Sequence, residues 1–381
     1  MLQSAIDVEV FQYVHTHEDL VDGCGRRQVV RNGHMPAREL VTGVGPIEIR
    51  QPRVHDRRPE EKFTSCILPP YLRRTPSIDA LIPFLYLKGI STGDFSEALT
   101  ALLGEKAAGL SATNIVRLKK IWEQDYKEWN SRSLAGKRYV YLWADGIYFK
   151  VRLTDERPCL LVLIGTLQDG TKELIAIHDG ERESKLSWKE VLRDLKRRGL
   201  EEGPELAVGD GALGFWSALR EEFARTREQR CWVHKTANLL DKLQKKVHPN
   251  AKKLIHEMYL APTKKDALLA YGEFLNLYEA KYPKAAECLR KDKDVLFTFY
   301  DFPAEHWGHI RTTNPIESTF ATVRHRTRQT KGCGSRMATL TMVFQLAREA
   351  EKHWRKLNGY KLIQKIIDGV RFEDGIEKKV A

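Results

Sequence analysis

The chain has 381 residues, 42% of them hydrophobic, and carries 63 lysines and arginines against 51 acids, a formal charge of +12. A chain of this length can bury a substantial core and has room for two or three domains, while the lack of any run of 18 apolar residues and of a basic-then-apolar leader excludes a membrane-spanning helix and a secretion signal. Six cysteines are scattered without a CxxC pair, which excludes a disulfide framework or a zinc knuckle and points to a reducing, cytoplasmic setting.

Residues 1–76 read as a small mixed module of short alternating runs broken by Gly and Pro. Within it, 46–53 (PIEIRQPR) reads as one edge strand turning Ile47 and Ile49 inward. Arginines at 26, 27 and 31 and over 50–58 give this module a basic surface, suited to DNA or simply to water. From residue 77 the pattern turns helical, with Ile78, Leu81, Ile82, Leu85 and Tyr86 recurring at three and four residues. Breaks at 89–95 and 109–113 carry Ser, Thr and Asp caps, and the second opens a basic helix with Arg117, Lys119 and Lys120. That order over 77–136 is expected of a DNA-reading helix-turn-helix, with a plain helical hairpin as the alternative.

From residue 137 strands and helices alternate. Strands are expected over 140–150, 159–166 and 173–178, the last two joined by an Asp169-Gly170-Thr171 turn. A helix ending at 198–199, a strand at 206–208, a helix at 213–223 and a strand at 229–233 follow. Three antiparallel strands and then αβαβ is the order of a ribonuclease H-like α/β domain, here 137–335. The stretch from about 238 to 310 reads as almost wholly helical (239–247, 251–259, 264–280, 284–289), too long for a loop, and is expected as an all-helical subdomain inserted in that domain. A C-terminal helical region, 336–381, holds a helix over 337–357 and a frayed tail from 373.

Three acids stand in apolar or basic settings: Asp145 ending the first strand, Asp210 in the GDG after the fourth, and Glu317 in NPIES. Taken singly, each has a local reading. Asp-Gly is a common turn, and an acid in the first turn of a helix complements the macrodipole. Brought together, the three would repel one another until Mg²⁺ or Mn²⁺ neutralised them. Hard oxygen ligands suit those ions, and two such ions can clamp the attacking and leaving oxygens of a phosphodiester exchange. Basic clusters over 235–253 and 324–336 flank the acids and favour a polyanionic substrate.

The runs YLWADGIY (141–148), RCWVH (230–234) and TTNPIES (312–318), with GIST (89–92) and LSAT (110–113), resemble in that order the motifs of Mutator-type transposases of bacterial insertion sequences. The resemblance covers nearly the whole chain. One departure is the STFAT run at 318–322, where many relatives are more basic. The resemblance implies a DDE transposase with two divalent ions, Asp145 bridging both and Asp210 and Glu317 each completing one side. It implies double-stranded DNA partners, namely terminal inverted repeats and target DNA. A homodimer or larger assembly would synapse two ends, at the nucleoid in the cytoplasm. It also implies that His234 lies near the scissile phosphate. By themselves Cys231 and His234 are half a zinc site, and a buried Cys with a hydrogen-bonded His is the plainer alternative. Trp307 is a candidate to stack on an unpaired base or simply to pack. Arg311, Arg324, Arg326 and Arg328 are candidates to hold phosphates or to form a solvated face. The rivals are a nuclease of the same fold that does not join strands, and a DNA-binding regulator whose acids are inactive.

Overall fold

The computed structural model describes residues 1–42, 45–59, 61–70, 72, 75, 85, 112–149, 159–180, 182–329 and 335–378, without the side chains of 112–118, 322 and 325–329. The chain divides into two compact units, Met1–Leu118 and Lys119–Ala381.

In the first unit a helix, α1 (Leu2–Thr16), accompanies strands β1 (Val29–His34), β2 (Arg38–Thr42), β3 (Gly45–Ile49) and β4 (Pro52–Asp56). Strand β1 pairs with β4 and β2 with β3, both antiparallel. Ile6, Leu40, Ile49 and Leu68 form its small core. Two expectations are corrected here. Helix α1 replaces the short alternating runs read at the N-terminus. The single strand over 46–53 is two strands, because Arg50 and Gln51 leave the ladder. The Gln3 side chain takes up the freed backbone of Arg50, donating to its carbonyl (2.9 Å) and accepting from its N–H (3.0 Å). Of the helix-turn-helix reading, only Leu85 and helix α2 (Ala112–Asn130) fall among the described residues.

The second unit is a mixed α/β fold around five strands: β5 (Tyr139–Tyr148), β6 (Cys159–Leu167), β7 (Lys172–Gly180), β8 (Leu206–Gly209) and β9 (Arg227–Arg230). Their order across the sheet is β7-β6-β5-β8-β9. The first three form an antiparallel meander, as their short connections predict, and β8 and β9 run parallel to β5. On one face pack α3 (Lys185–Arg197) and α4 (Leu213–Glu222), whose Trp188, Leu192, Phe215 and Leu219 share a core with Leu142, Ala144 and Ala207 of the sheet. Both faces of β5 are covered, so its apolar run is continuous. At the far edge Tyr126 and Trp129 of α2 pack on Phe344, with ring centroids 5.5 and 4.9 Å apart.

Four helices follow β9: α5 (Trp232–Leu240), α6 (His248–Leu260), α7 (Lys264–Tyr278) and α8 (Pro283–Lys291). The one-turn helices α9 (Lys293–Leu296) and α10 (Trp307–Ile310) lead to α11 (Asn314–Gln329) and α12 (Arg336–Glu351), and α13 (Ile363–Ile367) is the last helix described. The expected last strand and first inserted helix shift. Strand β9 stops at Arg230: Cys231 N–H still makes the last ladder bond, to Gly209 O (2.8 Å), but its carbonyl accepts the first helical bond from Lys235 N–H (3.0 Å). The short apolar run CWV is therefore the opening of a helix. The tail expected to fray is pinned instead. Strands β10 (Phe372–Glu373) and β11 (Ile376–Glu377) form a hairpin whose Asp374 accepts from Lys264 N–H (2.6 Å). No helix among the described residues is long and apolar enough to cross a membrane.

Glu173 on β7 collects Lys137 Nζ (2.6 Å), Tyr139 OH (3.0 Å) and Arg132 Nη2 (3.3 Å). Burial alone would raise its pKa, but these donors outweigh burial and hold it below the ordinary glutamate value. A depressed carboxyl stabilises the fold above the unfolded glutamate pKa, about 4.3, and the contribution is lost as pH falls through the folded value. Glu173→Gln is expected to cost on the order of 2 kcal/mol at pH 7. Urea unfolding of both proteins should show this difference shrinking toward zero at pH 3.

Candidate active site

Strand β5 sorts its side chains by parity. Leu142 and Ala144 enter the α3/α4 core. Tyr141 and Trp143 face the other way, where Tyr141 OH meets His306 Nδ1 (2.6 Å) and Trp143 Nε1 donates to His309 O (3.0 Å). Asp145 continues the second set. Strand β8 lies beside β5 in parallel, with Ala144 opposite Gly209. The next residue along each is an aspartate, Asp145 within β5 and Asp210 just past β8, so the two lie side by side, roughly 5 Å apart at the backbone. Asp210 also has its turn role, since its Oδ1 accepts from Ala212 N–H (2.9 Å). The glycine after it is required twice over. Gly211 has φ +89°, and a Cβ there would overlap the Arg230 guanidinium.

The third acid arrives on α11. Ile316, Phe320 and Val323 bury one face of this helix, which leaves Glu317 on another, 26% exposed. Thr313, just before the helix, holds that carboxylate: its hydroxyl lies 2.8 Å from Glu317 Oε1. The same hydroxyl lies 3.2 Å from Cys231 Sγ and 3.4 Å from His234 Nδ1, and Thr313 N–H donates to the sulfur at 3.3 Å. Cys231 precedes the first residue of α5 and His234 lies in its first turn, so the i, i+3 spacing puts both on one helix face. His234 Nδ1 is 3.7 Å from Glu317 Oε1. Among the described residues, one ligand atom each from Cys231, His234 and Glu317 lie within 4.8 Å of one another. Glu317 thus supplies the third donor that the sequence left missing beside Cys231 and His234.

These groups share one electrostatic field. The hydrogen bond to Cys231 raises the His234 imidazole to about 9 against its burial, with help from the charges of Cys231, Asp145 and Asp210. Burial would raise the Cys231 thiol, but hydrogen bonds from His234 and Thr313 prevail and lower it. Asp145, 9% exposed, is pushed up to about 6 by burial and by the repulsion of Asp210 and Glu317, with His234 opposing. A fourth acid belongs to the same field. Burial, Asp210 and Asp145 together push Glu183 up to about 7. Sequence reading missed it, because ERES (181–184) is a polar run without the apolar frame that marks the other three. Among the described residues no lysine or arginine pairs with Asp145, Asp210, Glu183 or Glu317. Carboxylates of this kind are hard oxygen donors of the type a divalent cation takes, although the ligand atoms that lie closest together among the described residues are those of Cys231, His234 and Glu317. Cys231 is fully buried and its sulfur is engaged by Thr313, so it offers little to Mg²⁺.

The other expected contacts divide. Trp307 stands edge-on to Tyr300 and Phe299, and its ring N–H donates to Phe302 O (2.8 Å). Arg311 lies over the Tyr259 ring and donates to Tyr259 O (2.8 Å). Trp307 has its ring N–H and Arg311 one guanidinium nitrogen engaged by the helical insert. Arg324 is exposed, two turns past Glu317 on the same side of α11, and Lys120 is exposed on α2, with Lys119 half-buried beside it. The side chains of Arg117, Arg326 and Arg328 lie outside the described residues. A cleft of about 620 Å³ opens beside Glu317, lined among others by Lys172, His309, Asn314 and Ser318.

Comparison with known proteins identifies the family. The sequence model of the Mutator family of transposases matches residues 1–357. The chain is 52% identical over 295 residues to the transposase for insertion sequence element IS6120 of Mycolicibacterium smegmatis, a match covering 77% of this chain and 91% of that protein. It is 50% identical over 287 residues to the transposase for IST2 of Acidithiobacillus ferrooxidans, covering 74% and 95%. At 29% over 305 residues it also matches the transposase for IS256 in transposon Tn4001 of Staphylococcus aureus, covering 79% and 75%. The chain belongs to the Mutator family of transposases.

Proposed function

We propose that this chain cuts and joins DNA at the terminal inverted repeats of an insertion sequence, through Asp145, Asp210 and Glu317 on a ribonuclease H-like domain. The observation that carries the reading is that acids from β5, β8 and α11, far apart along the chain, act on one another's charge, with no lysine or arginine paired to them among the described residues. The sheet order, an antiparallel meander flanked by two parallel strands, supports the ribonuclease H-like assignment.

In this reading Asp145, Asp210 and Glu317 would hold two Mg²⁺ or Mn²⁺ ions. When bound, the ions activate the attacking oxygen and stabilise the leaving one. In the first step water forms the new P–O bond, and the 3′-oxygen leaves and takes a proton. In the second, that freed 3′-hydroxyl attacks a target phosphodiester, and the target's own 3′-oxygen leaves. Neither step needs a covalent protein–DNA bond. His234, held protonated by Cys231 and the acids, lies beside Glu317 and is suited to a non-bridging phosphate oxygen. Thr313 orients Glu317 by its hydroxyl. Arg324 and the basic turns of α2 are suited to the flanking phosphates, and two copies of the chain would bring two ends together.

A labelled transposon-end duplex incubated with the protein and Mn²⁺ tests this reading. Metal-dependent release of a 3′-hydroxyl end, followed by its covalent joining to a second duplex, is the expected result. Cleavage without joining would make the protein a nuclease. End binding without cleavage would make it a regulator.

A further inference from the structure

Glu183 sits in the link between β7 and α3, immediately before Ser184. The usual task of a polar residue at that place is to cap the helix. Ser184 already does so, its side chain accepting from Ser187 N–H (3.1 Å). The Glu183 side chain turns instead onto the strand that carries Asp145. A Cβ on Gly146 would overlap Glu183 Cδ and Oε1, so that glycine leaves room for the carboxyl. Gly214, in the first turn of the helix that follows Asp210, is constrained by the same residue. A Cβ there would lie 2.5 Å from the Glu183 carbonyl oxygen. Neither glycine has a positive φ, so space alone, and not backbone conformation, calls for glycine at these two places. Two side chains are thus absent where Glu183 closes on the strand and the helix that frame the two aspartates. The nearest polar side-chain contact of its carboxylate among the described residues is Cys159 Sγ at 4.0 Å, a weak partner for a half-buried acid.

We propose that Glu183 is a fourth carboxylate of the Asp145–Asp210 pocket and helps to hold a divalent ion there, directly or through an ion-bound water. This inference rests on the metal-dependent reading above. It assigns to the pocket an acid from the β7–α3 link, in addition to those from β5, β8 and α11.

Titration of the full-length protein with Mn²⁺, followed by the electron paramagnetic resonance signal of free Mn²⁺, tests it without reference to activity. Wild-type protein is expected to take up two ions. Glu183→Gln should lose one of them or weaken one site at least tenfold, with the metal-free melting temperature unchanged and the Mn²⁺-induced rise in melting temperature reduced. A purely structural glutamate would move the metal-free melting temperature and leave Mn²⁺ uptake alone, and that result would overturn the proposal. If Glu183→Gln does not fold, Glu183→Asp carries the test: at least tenfold weaker uptake supports the proposal, and unchanged uptake overturns it. Asp145→Asn separates the two levels. If it abolishes uptake while the Glu183 variant matches wild type, only the fourth acid fails. If Asp145→Asn also leaves uptake unchanged, the metal-dependent reading itself fails.

Discussion

Asp145→Asn, Asp210→Asn and Glu317→Gln are each expected to lower metal-dependent cleavage of transposon-end DNA by roughly a thousandfold, a loss of about 4 kcal/mol of transition-state stabilisation. The three substitutions keep shape and remove charge, so they separate chemistry from folding. Asp145 shows why the fold should survive. Its carboxyl is buried and repelled by Asp210 and Glu317, and a neutral amide relieves both penalties. Melting temperature in the absence of metal should therefore hold or rise. Affinity for end DNA should also hold, since less negative charge then faces the phosphates. The losses should not add in pairs, because residues that act as one unit fail as one unit. Gel-shift and cleavage assays on the same preparations give both readouts. Retention of more than a tenth of wild-type cleavage by any two of the variants would end the assignment of these three acids.

The second large effect is on stability. Lys235, 1% exposed, lies in α5 with Nζ 2.7 Å from Asp292 Oδ2 and against the Cys288 carbonyl. Arg230, 5% exposed, reaches the same Asp292 oxygen through Nε at 3.1 Å. One carboxylate thus serves two buried cations, and although burial acts to raise its pKa, the two cations hold it below the ordinary value. Asp292→Ala leaves both cations without their anion, which is expected to cost roughly 3–5 kcal/mol. For a unit of this size the melting temperature should fall by roughly 10 °C. Activity should fall too, because Arg230 packs against Gly211, the residue after Asp210. Adding Lys235→Met to Asp292→Ala should recover at least about 1 kcal/mol, since it removes one stranded charge. A cost below about 1 kcal/mol for Asp292→Ala in urea unfolding would show that water reaches these groups and that the buried pairing does not hold the insert.

The parts of the fold legible in the sequence were those that local chemistry marks. The meander was legible from three apolar runs and from the turn at Asp169-Gly170-Thr171, where Gly170 takes φ +81° and Asp169 accepts from Thr171 N–H. The positions of Asp145 and Asp210 followed from apolar strand runs that lead into Asp-Gly, within β5 for the first and just past β8 for the second. Elements fixed by contacts distant in sequence were not legible. Helix α1 buries only Ile6 and Val10 and leaves Val8 and Phe11 exposed, so no clean apolar stripe announced it. The opening of α5 was hidden in a run as short as a strand, and what ends β9 is the turn of the Cys231 carbonyl to accept from Lys235 N–H. Glu183 has no apolar neighbours to frame it, and its place beside Asp145 shows only once the helices are packed. Thr313 had no role assigned from the sequence; its contact with Glu317 is local, four residues on, whereas its contact with Cys231 is tertiary. The tail looked loose because its anchor is Lys264 N–H, far back in the chain.

The helical excursion between β9 and α11 begins and finishes at one spot. Trp232 N–H donates to Arg311 O at 3.0 Å, and Thr313 N–H donates to the sulfur of Cys231. Such a handle is closed at its base, so the carboxylate just past its far end is fixed close to the end of β9 where the excursion starts. The insert is therefore anchored at its base beside the carboxylate that follows it, through Trp232–Arg311 and Thr313–Cys231.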